Sequence, residues 1–198
     1  LIDTSLVGRG DRIRQIAAEV PDAYVASAYD DTFVIEGNAT LGAELAAKDF
    51  DAVVAPIGGG GLISGIVKGM QRSRGGVEFI GAEPALGNDA ARSMREGRIV
   101  FNNSEPATIA DGARTISLGE LNWPIIRDRV REIIEVPDET IAEAVKLLFN
   151  LANLKCEPTG ALSLGAVLVN PKLFEKRRVC VVVSGGNVDP AVYRDLIS

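Results

Sequence analysis

Histidine is absent from the 198 residues, and this absence removes several kinds of chemistry. A Ser-His-Asp or Cys-His hydrolase, a typical zinc site and a histidine general base all need an imidazole that this chain does not supply. If chemistry takes place here, we expect a cofactor to perform it.

Cysteines and long apolar runs are also scarce. The two cysteines, Cys156 and Cys180, are too few for a disulfide framework and are expected to be small buried residues. No apolar run reaches the roughly 18 to 20 residues that span a bilayer, and the start lacks the pattern of a signal peptide. We therefore expect a cytoplasmic protein without a membrane partner.

Positive charge is limited as well. The net charge is -6, and the one basic cluster, Lys176-Arg177-Arg178, precedes an apolar run and favours a solvated turn. An acidic chain without a basic face is a poor partner for nucleic acid. The composition, 46% hydrophobic and 24% charged, is that of an ordinary soluble globular protein.

Short apolar runs alternate with helical patterns, which is typical of βα units around a parallel sheet. The stretch 99–121 has no clear periodicity, and a loop of that length is usually functional. The first βαβ unit ends near residue 30. The runs predict strands at 1–7, 23–27, 50–57, 77–83, 133–136 and 178–183, and helices at 11–19, 33–48, 62–70, 89–96, 137–153 and 158–169.

Four glycines, 58–61, stand between a predicted buried strand and the helix that starts at Leu62. Without Cβ atoms the backbone can turn its N–H groups inward, and the helix N-terminus adds partial positive charge, so this turn can hold a phosphate dianion. The spacing fits neither the P-loop nor the G-x-G-x-x-G fingerprint. The alternative is a tight strand-to-helix connection without a ligand.

Two more polar turns follow predicted elements. Ser184 ends a buried apolar run and would face the same crevice as the glycines, because parallel sheets bind ligands beyond the carboxyl ends of their strands. Glu157 stands directly before a helix that begins with Pro158. On these residues alone Ser184 is equally a turn-forming hydroxyl, and Glu157 equally a partner of the helix dipole.

Together these motifs resemble those of fold-type II pyridoxal-phosphate enzymes, and most closely the threonine/serine dehydratase and serine racemase branch. The tetraglycine loop, Asp111-Gly112, the EPTGA run at 157–161 and the SGGNVD turn at 184–189 occur in the family's order. The resemblance covers essentially the whole chain. It implies a three-layer α/β fold, with a mostly parallel sheet and helices on both faces.

The resemblance also implies a set of residues around pyridoxal 5'-phosphate. Ser184 would hydrogen-bond the pyridine nitrogen and Glu157 would sit near the ring, and these two are the expected catalytic residues of the chain. A serine hydroxyl does not force the pyridine nitrogen to stay protonated, and the resulting weaker electron sink suits β-elimination. The expected cofactor-binding residues are Gly58, Gly59, Gly60, Gly61, Leu62, Gly112, Glu157, Ser184 and Gly185.

The run from Glu83 to Asp89 resembles the divalent-cation site of the same family. That site uses an acid, a backbone carbonyl four residues on and a second acid two residues beyond, which matches Glu83, Gly87 and Asp89. Oxygen ligands of this kind suit Mg²⁺ or Ca²⁺. The alternative is a polar turn in which Asn88 or Asp89 caps the next helix.

The family's Schiff-base lysine lies in a serine-x-lysine context upstream of the tetraglycine loop. None of the six lysines here has that context. The resemblance therefore implies that residues 1–30 are the tail of a small substrate domain, and that residues 31–198 are the large domain without its N-terminal elements. We expect such a chain to need the missing N-terminal segment and to be inactive alone.

The expected activity of the complete enzyme, a homodimer by resemblance, is deamination of L-threonine or L-serine to a 2-oxo acid and ammonia. Serine racemase and hydroxyaspartate dehydratase share these motifs and stay open as alternatives. A non-catalytic cofactor-binding regulatory module is an alternative of another class. A serine-x-lysine segment in the natural gene product would favour the enzyme.

Overall fold

A computed structural model describes residues 9–72 and 76–198, so the strand predicted at 1–7 lies outside the described residues. At its centre is a four-stranded parallel sheet in the order β3-β2-β1-β4. Val54 on β1 pairs with Ile80 on one side and with Val181 on the other. The strands are β1 (Ala52–Pro56), β2 (Glu78–Pro84), β3 (Val130–Val136) and β4 (Val179–Val181).

Helices connect the strands and cover the sheet. Short 3₁₀ turns lie at Met70–Arg72, Ala85–Gly87 and Asp111–Ala113. The α-helices are α1 (Arg9–Glu19), α2 (Thr32–Ala46), α3 (Gly61–Gly69), α4 (Asp89–Glu96), α5 (Trp123–Arg129), α6 (Asp138–Ala152), α7 (Pro158–Val169), α8 (Pro171–Phe174) and α9 (Pro190–Ile197).

The central strand β1 is buried on both faces, which is why its sequence is a continuous apolar run. Val53 and Ala55 pack in one cluster with α3, whereas Ala52 and Val54 pack in another with α6 and α7. This alternation follows from the two-residue period of a strand. The arrangement confirms the predicted three-layer α/β fold with helices on both faces of the sheet.

The sequence prediction of a strand at 23–27 is wrong. These residues form no strand, and most of them are exposed. The run is apolar enough for a strand, but the described sheet offers it no neighbour with which to exchange backbone hydrogen bonds, and a strand is defined by that pairing.

Three helices were not predicted. Helix α5 has only seven residues and α8 only four, too few for a helical period to show in the sequence. Helix α9 carries clear start signals, because Asp189 accepts hydrogen bonds from the N–H groups of Ala191 and Val192, and Pro190 occupies the first turn. The sequence prediction used these residues only as part of the SGGNVD motif.

Within residues 9–72 and 76–198, no helix combines the length and the apolar character needed to cross a bilayer. Both cysteines are free, with Cys156 fully buried and Cys180 partly buried. Burial raises the pKa of the Cys156 thiol to about 11, so this side chain is a core residue rather than a reactive thiolate.

Candidate functional site

Eight of the nine predicted cofactor residues line one open cavity at the carboxyl ends of β1 and β4, and Gly185 is not among its lining residues. The cavity measures about 270 Å³, near the lower end of the roughly 300 to 1,000 Å³ typical of small-molecule sites. Its lining residues are Ala28, Tyr29, Asn38, Pro56, Gly58, Gly59, Gly60, Gly61, Leu62, Gly112, Thr115, Glu157, Thr159 and Ser184.

The tetraglycine loop forms the wall next to β1 and requires glycine for two reasons. Gly60 has a φ of +94°, in the left-handed region that L residues adopt only with strain. At Gly59 an added Cβ would overlap the ring of Tyr29, and at Gly58 it would lie 3.2 Å from the carbonyl oxygen of Gly112. Side chains at these positions would push the neighbouring residues away and distort the loop.

The backbone amides of this loop are unpaired. In residues 9–72 and 76–198, no oxygen accepts a hydrogen bond from the N–H groups of 58–61. These groups lead directly into the N-terminus of α3, whose first amides have no partners inside the helix. Unpaired amides beside a helix N-terminus suit a phosphate dianion.

The loop around Gly112 is fixed by a residue that the sequence prediction missed. The N–H of Gly112 donates to Oγ1 of Thr159 at 3.0 Å, and Thr159 itself is 8% exposed. A Cβ added to Gly112 would lie 3.0 Å from the same oxygen. The signal was present, since Thr159 belongs to the EPTGA motif, but the prediction used only the acid of that motif.

Glu157 forms the next part of the wall and packs against Gly185. The N–H of Glu157 donates to the carbonyl of Gly185 at 3.0 Å, and a Cβ on Gly185 would lie 2.5 Å from Oε1 of Glu157. Glycine at 185 therefore permits the close approach of this carboxylate. Burial, with a smaller contribution from the charge of Asp111, raises the pKa of Glu157 above its ordinary value.

Ser184 lies just beyond β4 and lines the cavity, although its side chain is exposed overall. Two other hydroxyl-bearing side chains that the sequence prediction missed also line it. The ring of Tyr29 covers the face of Gly59. Oγ1 of Thr115 is buried and has no hydrogen-bond partner among the described residues.

The three predicted cation ligands do not line this cavity. They lie at the end of β2 and the start of α4, where both oxygens of Glu83 accept backbone N–H groups of the helix, Ala90 at 3.1 Å and Ala91 at 2.6 Å. Capping of α4 is therefore done by Glu83 and not, as the alternative held, by Asn88 or Asp89. Burial raises the pKa of Glu83 well above its ordinary value, because the side chain is only 1% exposed.

Asp89 is buried beside this cap. Its Oδ1 accepts from Nδ2 of Asn102 at 2.8 Å, and its Oδ2 has no partner in the described structure. Burial raises its pKa to about 6. No cluster of three or more His, Cys, Asp or Glu side chains suited to a metal occurs in the described ranges, and the predicted set of two acids and the Gly87 carbonyl stays a prediction.

Comparison with known proteins identifies the family. Residues 2–185 match the family described as "Pyridoxal-phosphate dependent enzyme". The chain belongs to this family. Its relatives and its structural neighbours include threonine deaminase and serine racemase, which confirms the resemblance to that branch.

Two curated relatives of this pyridoxal-phosphate-dependent family member are an ammonia-lyase and a racemase. The chain is 38% identical over 187 residues to the L-threo-3-hydroxyaspartate ammonia-lyase of Saccharomyces cerevisiae, covering 93% of this chain and 57% of that protein. It is 39% identical over 168 residues to the serine racemase of Arabidopsis thaliana, covering 81% of this chain and 50% of that protein.

Solved structures of the family show the same fold. The threonine deaminase from T.th. has a TM-score of 0.76 at 41% identity, over 81% of this chain and 61% of that one. Maize serine racemase has a TM-score of 0.84 at 32% identity, over 92% of this chain and 56% of that one. The chain thus spans between half and about three fifths of the length of these relatives.

The cavity fits the cofactor that gives the family its name. The glycine loop lines the cavity with unpaired amides, which suits the phosphate of pyridoxal 5'-phosphate. Ser184 supplies a neutral hydroxyl at the same cavity, and Gly112 also lines it. No described lysine lines the cavity, so the lining residues shown here could offer a cofactor only noncovalent contacts.

Proposed function

We propose that the complete enzyme containing this chain removes ammonia from a β-hydroxy amino acid, L-threonine or L-serine, and releases a 2-oxo acid. The observation that supports this most is that Ser184, a neutral partner for a pyridine nitrogen, lines the same cavity as the glycine cradle. The 41% identity to a threonine deaminase of known structure supports the same reaction class.

Bound pyridoxal phosphate supplies an electron sink for the electrons released at the substrate α-carbon. The chain's own residues bind and orient this group. The amides of 58–61 and of Leu62 hold the phosphate, and Ser184 holds the ring nitrogen without adding charge. A neutral partner limits how far the ring stabilises negative charge, which favours prompt loss of the β-hydroxyl over other fates of the α-carbon.

Glu157 is the proton-holding group of this wall. Its raised pKa lets the carboxyl keep a proton at a higher pH than an exposed glutamate would. It lies against Gly185, next to Ser184, so a proton on Glu157 is held beside the turn that carries the ring-nitrogen partner.

The described lining carries no cationic side chain. A second carboxylate, as in hydroxyaspartate, would therefore need a counter-ion from outside the described residues, because an uncompensated charge is costly in a partly buried site. Threonine or serine needs no such counter-ion for its side chain.

Three parts of the proposal concern the complete protein. We propose that the lysine that binds the cofactor and takes the α-proton comes from outside the described residues, because none of the six lysines lines the cavity. We also propose that Mg²⁺ or Ca²⁺ binds at Glu83, Gly87 and Asp89, where two buried carboxyls and the unpartnered Oδ2 of Asp89 suit a hard cation. Homodimer formation and a cytoplasmic location stay predictions.

The direct test is to assay the full-length enzyme with pyridoxal phosphate on L-threonine, L-serine and L-threo-3-hydroxyaspartate. We expect 2-oxo acid and ammonia from L-threonine or L-serine, at a higher kcat/KM than from the hydroxyaspartate. D-Serine as the main product from L-serine would show a racemase instead. Cofactor binding with no turnover of any of the three would favour the regulatory module.

A further inference from the structure

Asn122, at the start of α5, connects the glycine loop to a distant part of the chain. The side chain is completely buried. Its Nδ2 donates to the carbonyl oxygen of Gly59 at 3.0 Å and to that of Tyr29 at 2.9 Å. The N–H of Gly119 donates to the same Gly59 carbonyl at 3.0 Å. One turn, 119–122, thus supplies both donors that hold this carbonyl.

The direction of the Gly59 carbonyl fixes the direction of the next amide. A trans peptide is planar, so its C=O and its N–H point in opposite directions, and no described peptide bond is cis. Since the Gly59 carbonyl points to the 119–122 turn, the N–H of Gly60 points away from that turn. Gly60 lines the cavity, while a Cβ added to it would point at Asn122 and Ile126. The cavity is therefore where this N–H is directed.

This arrangement also removes a competing bond. At a regular helix start the carbonyl of Gly59 would be free to accept the N–H of Ile63, four residues on. The described structure has no such bond, and the first bond of this type runs from the N–H of Ser64 to Gly60 at 3.0 Å. Binding to the 119–122 turn thus keeps the Gly59–Gly60 peptide out of α3.

The turn itself is held by Asp30. Its two carboxylate oxygens accept the N–H groups of Glu120 at 3.0 Å and Leu121 at 2.8 Å. The carboxylate also fills the space next to Gly119, where a Cβ would overlap it. Asp30 therefore fixes the position of the 119–122 turn, whose two donors bind the Gly59 carbonyl.

We propose that Asn122 is a positioning residue for the cofactor phosphate. By holding the Gly59 carbonyl, it aims the N–H of Gly60 at the phosphate, and Asp30 supports it by fixing the turn. The proposal rests on the proposed function, in which the glycine loop is the phosphate site. Asn122 and Asp30, which lie outside the glycine loop, then contribute to the loop's affinity for the phosphate.

A purely structural role for Asn122 would give a different result from a positioning role. If Asn122 only joined the Tyr29 segment to α5, its loss would lower stability and weaken every cavity ligand alike. If Asn122 aims an amide at the phosphate, its loss weakens only ligands that carry a phosphate. Pyridoxal 5'-phosphate and pyridoxal share the ring and the aldehyde, so the ratio of their affinities isolates the phosphate.

The experiment measures dissociation constants of both compounds for the full-length apo-enzyme by calorimetry. Asn122→Asp keeps the shape without the N–H donor, and Asn122→Leu keeps a similar volume without polarity. We expect the ratio of the affinity for pyridoxal 5'-phosphate to the affinity for pyridoxal to fall about tenfold. Part of the preference for the phosphate should remain, because the N–H of Gly119 still donates to the Gly59 carbonyl. Asn170→Asp, a substitution outside the cavity at an asparagine with no side-chain cap bond, should leave the ratio unchanged.

Two further variants keep the test decisive. Asp30→Ala removes the support of the turn at a half-buried position, and the ratio should fall about threefold. If neither Asn122 variant folds, Asp30→Ala is the deciding variant, and an unchanged affinity ratio in Asp30→Ala overturns the proposal. An unchanged ratio in a folded Asn122 variant overturns it as well. If Gly60→Ala also leaves the ratio unchanged, the loop is not the phosphate site, and the proposed function fails on its own account.

Discussion

Replacing Gly60 by alanine in the full-length apo-enzyme tests whether the cradle needs glycine. Alanine at φ +94° costs about 1 to 2 kcal/mol of backbone strain. Its Cβ would also lie 2.6 Å from Cδ1 of Ile126, a fully buried side chain that cannot move into solvent. Overpacking of this kind costs about 1 to 3 kcal/mol. Together these effects give a loss of about 3 kcal/mol in the free energy of unfolding.

The assay is thermal unfolding followed by circular dichroism, at one protein concentration and without cofactor. A loss of about 3 kcal/mol lowers the midpoint by about 6 to 12 °C for a domain of this size. Gly97→Ala is the matched control, since Gly97 has a φ of +68° but nothing within 4 Å of its added Cβ. It should lose only the strain, about 1 to 2 kcal/mol.

A second control is expected to raise the stability of the protein rather than lower it. Gly37 lies inside α2 with open space around its added Cβ, so Gly37→Ala should gain about 0.5 to 1 kcal/mol of stability. The reasoning fails if Gly60→Ala unfolds at the same temperature as Gly97→Ala. In that case the packing of the loop against α5 does not restrict position 60.

Three other predictions concern the cation site, the pH response and the lysines. Mg²⁺ or Ca²⁺ should raise the thermal midpoint, and the double variant Glu83→Ala/Asp89→Ala should abolish that response. A response kept by the double variant would leave Glu83 with helix capping and Asp89 with its hydrogen bond from Asn102. Because the pKa of Glu157 is raised, its ionised form is disfavoured in the folded state, so Glu157→Gln should raise the midpoint at about pH 8. That gain should shrink as the pH falls through the raised pKa and Glu157 takes up a proton, and a gain independent of pH would contradict the burial argument. Borohydride treatment of the cofactor-loaded enzyme should label none of the six lysines of this chain, and a label on any of them would overturn the proposed origin of the Schiff-base lysine.

The elements with local signals could be predicted from the sequence. Helices α4 and α7 have the predicted bounds, because Gly97 ends the first in a left-handed conformation and Pro158 begins the second. The glycine turn between β1 and α3 could be predicted for the same reason, because a run of glycines after a buried strand marks a tight connection to the next helix. The SGGNVD turn was found in this way too, although its helix start at Asp189 was overlooked.

Contacts between distant residues could not be predicted. Asn122 bonds to Tyr29 across 93 residues, and nothing in the sequence around either residue indicates the partner. The same holds for Thr115, which becomes part of the cavity only because the 110–115 loop packs against Gly58. The predicted strand at 23–27 failed because strand formation depends on a neighbouring strand, which an apolar run does not reveal.

The central claim, that Ser184 acts as a neutral partner of the cofactor ring and thereby favours elimination, is tested most directly with Ser184→Asp in the complete enzyme. The measurement is the rate of 2-oxo acid formation from L-threonine relative to the rate of α-proton exchange with deuterated water. A carboxylate next to the pyridine nitrogen favours its protonated form and strengthens the electron sink. We expect this ratio to fall while the cofactor stays bound through 58–61. An unchanged ratio in a folded, cofactor-loaded Ser184→Asp enzyme would show that Ser184 is only a turn residue.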